Sequence, residues 1–358
     1  MQITVPKDLI TSAFATCALA ASTRSAVPAH AALQLAVAGT AADQPTLTVT
    51  AGDGSTFIRR QMPVDADVDG QVSVPAQLAA DTVKNLTCEQ VSLTVSDQSV
   101  QITGGTGRFT LNRTVVDGEL QLPTVEGPST AVDAARFAQH AKLVATAASK
   151  DVSKPALNGV RLESDDGTMT LVATDAYRLS SSTLASAGDA VAALLPVAVV
   201  PAFVKVFDQA DKLTITASAA AVHLVADDTE MVVSQIADQF PDWRKLTATT
   251  PPATATVDTA SFQAALKRVS RYGDTVQVNF DPAGELTVSS GTDAGNASET
   301  VAAAFDHPEP VTVKFAGEVL AAGLATTDTR KVTLKLADTR TPVWLVGDDR
   351  LYLAVPRP

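Results

Sequence analysis

Residues 130–145 read Thr130-Ala131-Val132-Asp133-Ala134-Ala135-Arg136-Phe137-Ala138-Gln139-His140-Ala141-Lys142-Leu143-Val144-Ala145. A short strand-like stretch runs straight into a helix. Phe137, Ala141, Val144 and Ala145 recur at mixed three and four spacings, the period of one buried helical face, and the helix is predicted over 134–149. The pattern occurs twice more. Ile3-Thr4-Val5 leads into a predicted helix over 7–22, and Thr254-Ala255-Thr256-Val257 into one over 260–272. Alternating strand-like stretches follow each helix, at 33–37 in the first copy, at 160–163 and 169–172 in the second, and at 276–280 in the third.

A second module recurs later in each copy. Val72-Ser73-Val74-Pro75 precedes a predicted helix over 76–86 and strands at 91–95 and 100–103. Ala198-Val199-Val200-Pro201 precedes a helix over 202–210 and strands at 213–217 and 221–226. Val311-Thr312-Val313 precedes a helix over 315–325 and strands at 332–336 and 343–346. Proline suits the first helical turn, where its missing N–H costs nothing. The copies start roughly 125 residues apart, a domain's length and too long for a solenoid unit. Gly, Pro and Thr cluster at Glu126-Gly127-Pro128 and Thr249-Thr250-Pro251-Pro252, which marks boundaries. The sequence therefore predicts an α+β chain of three tandem homologous domains, 1–125, 126–249 and 250–358. Each should carry two helices on one face of antiparallel sheets.

Composition narrows the function. Of 358 residues, 46% are apolar and 18% charged, so the chain can bury a large core. With 11 Phe, 2 Trp and 3 Tyr, aromatic base-stacking platforms are not expected. Lys and Arg number 27 against 39 Asp and Glu, a net charge of −12, so no whole-surface field attracts nucleic acid or anionic lipid. Cys17 and Cys88 cannot make a disulfide framework. His30, His140, His223 and His307 lie far apart without ligand-like spacing, so no metal or other cofactor is expected. Gly104-Gly105-Thr106-Gly107 lacks the lysine of a phosphate-binding loop and reads as a hairpin turn.

Residues 9–21 could pass for the apolar core of a signal peptide. That alternative would make the chain an exported or surface-associated β-rich binding module. Asp8, the lone Lys7 and the alternation of Ile3 and Val5 favour an amphipathic helix instead, with Leu9, Ala13, Phe14, Cys17, Leu19 and Ala20 inward. No apolar run approaches membrane-spanning length, and a cytoplasmic location is expected. A hydrolase using Asp175 or Asp242 with His140 or His223 is a weaker alternative, because these groups fall in different predicted elements with no nucleophile motif nearby.

The six helical windows and their flanks hold twelve Lys and Arg against seven Asp and Glu, in a chain that is acidic overall. Arg24, Lys84, Arg136, Lys142, Lys150, Lys205, Lys267 and Arg268 are among these bases. They have an ordinary reading as solvated helix residues. Gathered on one concave face, they would suit loose, sequence-independent contact with phosphates.

Motifs in the middle copy point to a family. Leu157-Asn158-Gly159-Val160-Arg161-Leu162-Glu163, then Leu171-Val172-Ala173-Thr174-Asp175-Ala176-Tyr177-Arg178-Leu179, then Phe240-Pro241-Asp242-Trp243-Arg244-Lys245-Leu246 resemble the bacterial DNA polymerase III beta subunit, the replicative sliding clamp. Tyr352-Leu353-Ala354-Val355-Pro356 resembles that family's C-terminal motif. Val72-Ser73-Val74-Pro75-Ala76 and Gly107-Arg108-Phe109-Thr110-Leu111 extend the likeness, more loosely, into the first copy.

The resemblance implies a non-catalytic processivity subunit. Two chains would form a head-to-tail homodimer, each half of a six-domain ring around double-stranded DNA. Polymerase and clamp-loader subunits would dock linear peptides into a hydrophobic groove. Carried over by motif, that groove involves Leu157, Thr174, Tyr177, Arg178, Leu179, Pro241, Lys245, Leu246, Val343, Val355 and Pro356. Asp175 and Arg178 also read as a turn cap and its ion-pair partner. Lys154, with Lys150, stands where many relatives carry DNA-touching aromatic residues. Arg108, Phe109, Arg271 and Tyr272 occupy positions resembling the ring seam, although a core Phe and an exposed Tyr read as well. Ala176 replaces the family's usual glycine, and Pro356-Arg357-Pro358 lacks its usual apolar last residue. A specialised clamp paralogue with altered partner specificity therefore stays open.

Overall fold

The computed structural model describes residues 1–22, 24–42, 45–116, 120–327 and 329–358. Among them lie seven α-helices: α1 (Lys7–Cys17), α2 (Ala76–Lys84), α3 (Ala134–Ala145), α4 (Val200–Phe207), α5 (Arg244–Thr247), α6 (Thr259–Val269) and α7 (Gly317–Ala325). Strands make up most of the rest, and every pairing with a resolved register is antiparallel, so the α+β expectation holds. Five of the helices continue directly from a strand: Gln2–Pro6, Gly70–Pro75, Ser129–Asp133, Ala253–Asp258 and Val311–Ala316. Asp258 caps α6 by accepting from the Ser261 amide at 2.9 Å, and Asp133 accepts from the Arg136 amide at 2.8 Å. Each satisfies a backbone donor that the first helical turn leaves unpaired.

Helix ends differ from expectation. The first helix closes at Cys17 and tightens into a 3-10 turn over Ala18–Ala20, a common way to finish a helix. On it, Ile10 is buried and Leu9 is exposed, so the inward face is rotated from the predicted one. In the middle copy, the strand before the helix is Val191–Pro196, and Val197–Val199 forms a 3-10 turn. Pro196 therefore stands where Pro75 does. Pro201 is the second residue of α4, which still asks for no donated N–H.

Contacts divide the chain into two compact units. The first comprises Met1–Ala138, Ala187–Ala193 and Pro201–Gln235. Ile3 and Val5 alternate inward from the first strand, beneath Ile10, Ala13, Phe14 and Cys17 of α1, which packs on α2. Strand Thr229–Ser234 pairs with Thr56–Pro63, Met231 opposite Ile58. Phe137 and Phe203 meet at 6.1 Å between ring centroids.

The second unit comprises Gln139–Ser186, Leu194–Val200 and Ile236–Pro358. One ladder runs through strands Gly159–Asp165, Thr168–Thr174, Arg178–Gly188, Arg350–Ala354, Val343–Val346, Lys331–Leu336 and Ala253–Asp258. Beneath its far end α6 and α7 pack together, burying Phe262, Leu266, Leu320 and Leu324. Gly323 admits the Tyr352 ring so closely that an added Cβ would lie 2.5 Å from it.

Candidate functional site

The most informative surface lies on one face of that second ladder. Side chains of paired residues share a face. Leu179 faces Leu353, Leu353 faces Trp344, and Leu351 faces Val346. Val172, Leu179, Trp344 and Leu353 form a buried apolar cluster, and Phe240, Trp243, Val346 and Leu351 pack against it half-covered. The result is an apolar cluster, the trough, whose floor is buried and whose outer layer of Phe240, Trp243, Val346 and Leu351 is half-covered.

Two loops shape its rim. The turn from Thr174 to Arg178 is tied by side chains. Thr174 Oγ1 donates to the Arg178 carbonyl at 2.6 Å and accepts from the Ala176 amide at 3.1 Å. Asp175 Oδ1 accepts from the Tyr177 and Arg178 amides at 2.9 Å each, and Arg178 Nε donates to Asp175 Oδ2 at 2.9 Å. Ala176 sits at φ 78, a left-handed conformation that costs a residue with a Cβ. This geometry lifts the Tyr177 ring into solvent, 68% exposed. The second loop carries Pro241, Lys245 and Leu246, all exposed, on and before α5. Arg244 fastens this loop: its guanidinium lies 4.7 Å over the Trp243 ring and meets Glu163 Oε2 at 2.6 Å. Burial resists the charge on Glu163, but hydrogen bonds from Arg244 and Arg161 outweigh it and hold its pKa below the ordinary value. Burial drives the Tyr352 phenol well above its ordinary range, against the nearby Arg178 cation, and its hydroxyl donates to the Val319 carbonyl at 2.7 Å.

Several expected groove residues thus converge. Leu179 lies in the floor, while Tyr177, Pro241, Lys245 and Leu246 stand exposed on the two rim loops. Thr174 shares the floor's face but is buried, its hydroxyl spent on the turn. Asp175 and Arg178 do act as turn cap and ion-pair partner. Val355 and Pro356 follow the last floor strand half-buried, and the Val355 amide donates to the Tyr177 carbonyl at 2.9 Å. Leu157, half-buried at the end of the 3-10 turn Pro155–Asn158, does not belong to the apolar cluster. Val343 is a correction: it is fully buried on the opposite face of its strand. A strand's period of two hands its expected place to Trp344. Val172, Phe240, Trp243, Trp344, Val346, Leu351 and Leu353 were missed, although alternation along 343–346 and 350–354 carries the signal.

The expected phosphate contacts scatter by element. Lys84, Lys142, Lys205, Lys267 and Arg268 stand in the last turns of α2, α3, α4 and α6, where a cation also complements the helix dipole. Arg136 is exposed earlier on α3, Arg24 follows the first 3-10 turn, and Lys150 and Lys154 are exposed after α3. Arg268 is engaged in a two-pronged ion pair with Glu299, and Lys154 lies 3.9 Å from Asp151. Phe109 is 45% exposed on strand Gly107–Asn112, an edge of its sheet, with Arg108 beside it. That excludes the core reading of Phe109. Tyr272, 46% exposed, follows α6 with Arg271.

Repeated strand–helix modules on antiparallel sheets define the class of fold to which the chain belongs. The domain models of the DNA polymerase III beta subunit match here, the N-terminal domain over residues 1–119 and the central domain over 131–242. A beta sliding clamp of Micrococcus luteus is 30% identical over 312 residues, covering 84% of this chain and 98% of that one. The solved structure of the Thermotoga maritima beta subunit superposes with a TM-score of 0.92 at 20% identity, covering 100% and 99% of the two chains. A Pseudomonas aeruginosa sliding clamp bound to griselimycin gives 0.90 at 20% identity, again covering 100% and 99%. This chain belongs to the DNA polymerase III beta subunit family, the sliding clamps.

Proposed function

We propose that two copies of this chain close head to tail into a ring around double-stranded DNA, and that the ring tethers polymerase and clamp-loader subunits by short peptides. Three domains per chain, 1–125, 126–249 and 250–358, give six around the ring. Enclosure then replaces affinity: a duplex cannot leave sideways, so weak contacts allow sliding. Arg24, Lys84, Arg136, Lys142, Lys150, Lys154, Lys205, Lys267 and Arg268 supply those contacts, and the acidic remainder repels DNA from the outside. Phe109 and Tyr272, with Arg108 and Arg271, meet across the seam. Replication places the ring in the cytoplasm.

The apolar trough carries this reading. Over its buried floor, the half-covered Phe240, Trp243, Val346 and Leu351 and the exposed Tyr177 and Leu246 offer apolar area to leucine-like or aromatic anchors. Lys245, exposed on the rim, would meet a ligand's carbonyls or carboxylates, and Arg178, held by Asp175, would fix the rim turn that carries Tyr177. Griselimycin, the compound in the P. aeruginosa clamp structure, is the natural probe. Arg178→Ala combined with Leu246→Ala should weaken its binding at least tenfold while light scattering still reports a dimer. Unchanged affinity would move the groove elsewhere. The left-handed Ala176 on the rim supports a second reading, a specialised paralogue with altered peptide preference.

A further inference from the structure

Under the trough, on the other face of the same strands, lies a buried polar trio. His140 of α3 is 1% exposed and Ser182 is 2% exposed. Ser182 Oγ lies 2.8 Å from His140 Nδ1, and His140 Nε2 lies 3.4 Å from Asp349 Oδ2. Ser182 Oγ donates to the Asp349 carbonyl at 3.2 Å, and the Thr183 amide donates to the same oxygen at 2.9 Å. A narrow cavity of about 140 Å3 opens beside them, lined among others by Ser180, Asp348 and Tyr352. The residue types are those of a nucleophile triad. However, Ser182 is 2% exposed mid-strand and its hydroxyl is directed at the Asp349 carbonyl, an acceptor and not a base.

The trio bridges the elements that build the trough. Ser182 belongs to strand Arg178–Gly188 and pairs with Arg350 of strand Arg350–Ala354. Three residues along, Leu179 pairs with Leu353 in the trough's floor. We propose that His140 is a positioning residue, holding these two floor strands in register through Ser182 and Asp349, and that its protonation tightens the hold. This rests on the trough being the peptide-binding groove.

The sign follows from counting donors. A carboxylate only accepts, so the 3.4 Å approach of Nε2 to Asp349 is favourable only with the proton on Nε2. In the neutral ring Nδ1 must then accept the Ser182 hydroxyl, which leaves the Asp349 carbonyl without it. In the imidazolium, Nδ1 donates to Ser182 Oγ, and the hydroxyl is free for that carbonyl. The charged ring therefore satisfies all three contacts and the neutral ring two. Histidine is the side chain whose ordinary titration falls between pH 5 and 8, and burial of this ring opposes the charged form. The charged groups facing it are Asp349, which favours the imidazolium, and Arg350, which opposes it and whose Nε lies 3.4 Å from Asp349 Oδ1. Asp348 and the Tyr352 hydroxyl line the adjoining cavity, and Arg136 and Lys142 of its own helix are exposed.

The test is griselimycin affinity of the full-length protein from pH 8.0 to pH 6.0. The affinity should rise about threefold as pH falls, in keeping with one gained hydrogen bond. His140→Gln and, separately, Ser182→Ala should each flatten the profile. A rise that persists in both variants, or a flat profile in the unaltered protein, overturns the proposal. Failure of griselimycin to bind at any pH would count against the groove alone. Hydrogen-exchange protection of the Thr183 amide then decides: it should increase at pH 6.0 in the unaltered protein and not in His140→Gln. Equal protection in the two would sink the latch.

Discussion

Ala176 is where a single residue's physics meets the site. Its φ of 78 belongs to glycine's territory, and it persists because Thr174 and Asp175 fix the turn on both sides. Ala176→Gly should raise stability by about 1 kcal/mol, read as an increase in Tm. A lower Tm would mean the turn carries no strain. Glu163 makes a pH prediction of the opposite kind. Its folded pKa is depressed, so its contribution is present above the ordinary glutamate value of about 4.3 and is lost as pH falls through the lower folded value. Glu163→Gln should therefore shrink the gap in Tm between pH 6 and pH 3. An undiminished gap would assign the acid sensitivity to other carboxylates. Cys17 is buried, and its thiol is pushed up to about 12, burial being the main cause.

Elements were legible wherever periodicity was strong. The strand–helix openings at Ile3, Thr130 and Thr254 stand out because one period gives way to the other within a few residues. The module beginning at Ala198 misled because apolar Val199 and Val200 fit a strand and a helix equally, and only packing decides. Within the trough, Leu179 and the rim residues follow from motif. Trp344 does not, since naming Val343 chooses the wrong parity of a strand whose two faces are both apolar. Ser182 and His140 gave no signal, because 42 residues separate them and only the fold joins them. The exposed edge strand Gly107–Asn112 also makes an element-scale prediction. Unpaired edges invite partners, so in the proposed dimer Phe109→Glu on this edge, and Tyr272→Glu after α6 on the facing side of the seam, should each give monomers by light scattering. Intact dimers would remove these residues from the seam.

At the scale of the whole molecule, the proposed ring lets an acidic chain serve a polyanion by surrounding it. Net charge of −12 argues against ordinary adsorption to DNA, while in the proposed ring the bases at helix ends would offer contacts that are weak one by one. Membership of the sliding-clamp family suits a mechanical part. The most direct measurement is retention on a nicked circular duplex after loading, followed by linearisation of that circle. The protein should stay on the closed circle at salt concentrations that abolish simple binding, and should run off once ends are cut. Retention unaffected by cutting, or salt-sensitive on both forms, would show adhesion in place of enclosure and contradict the account.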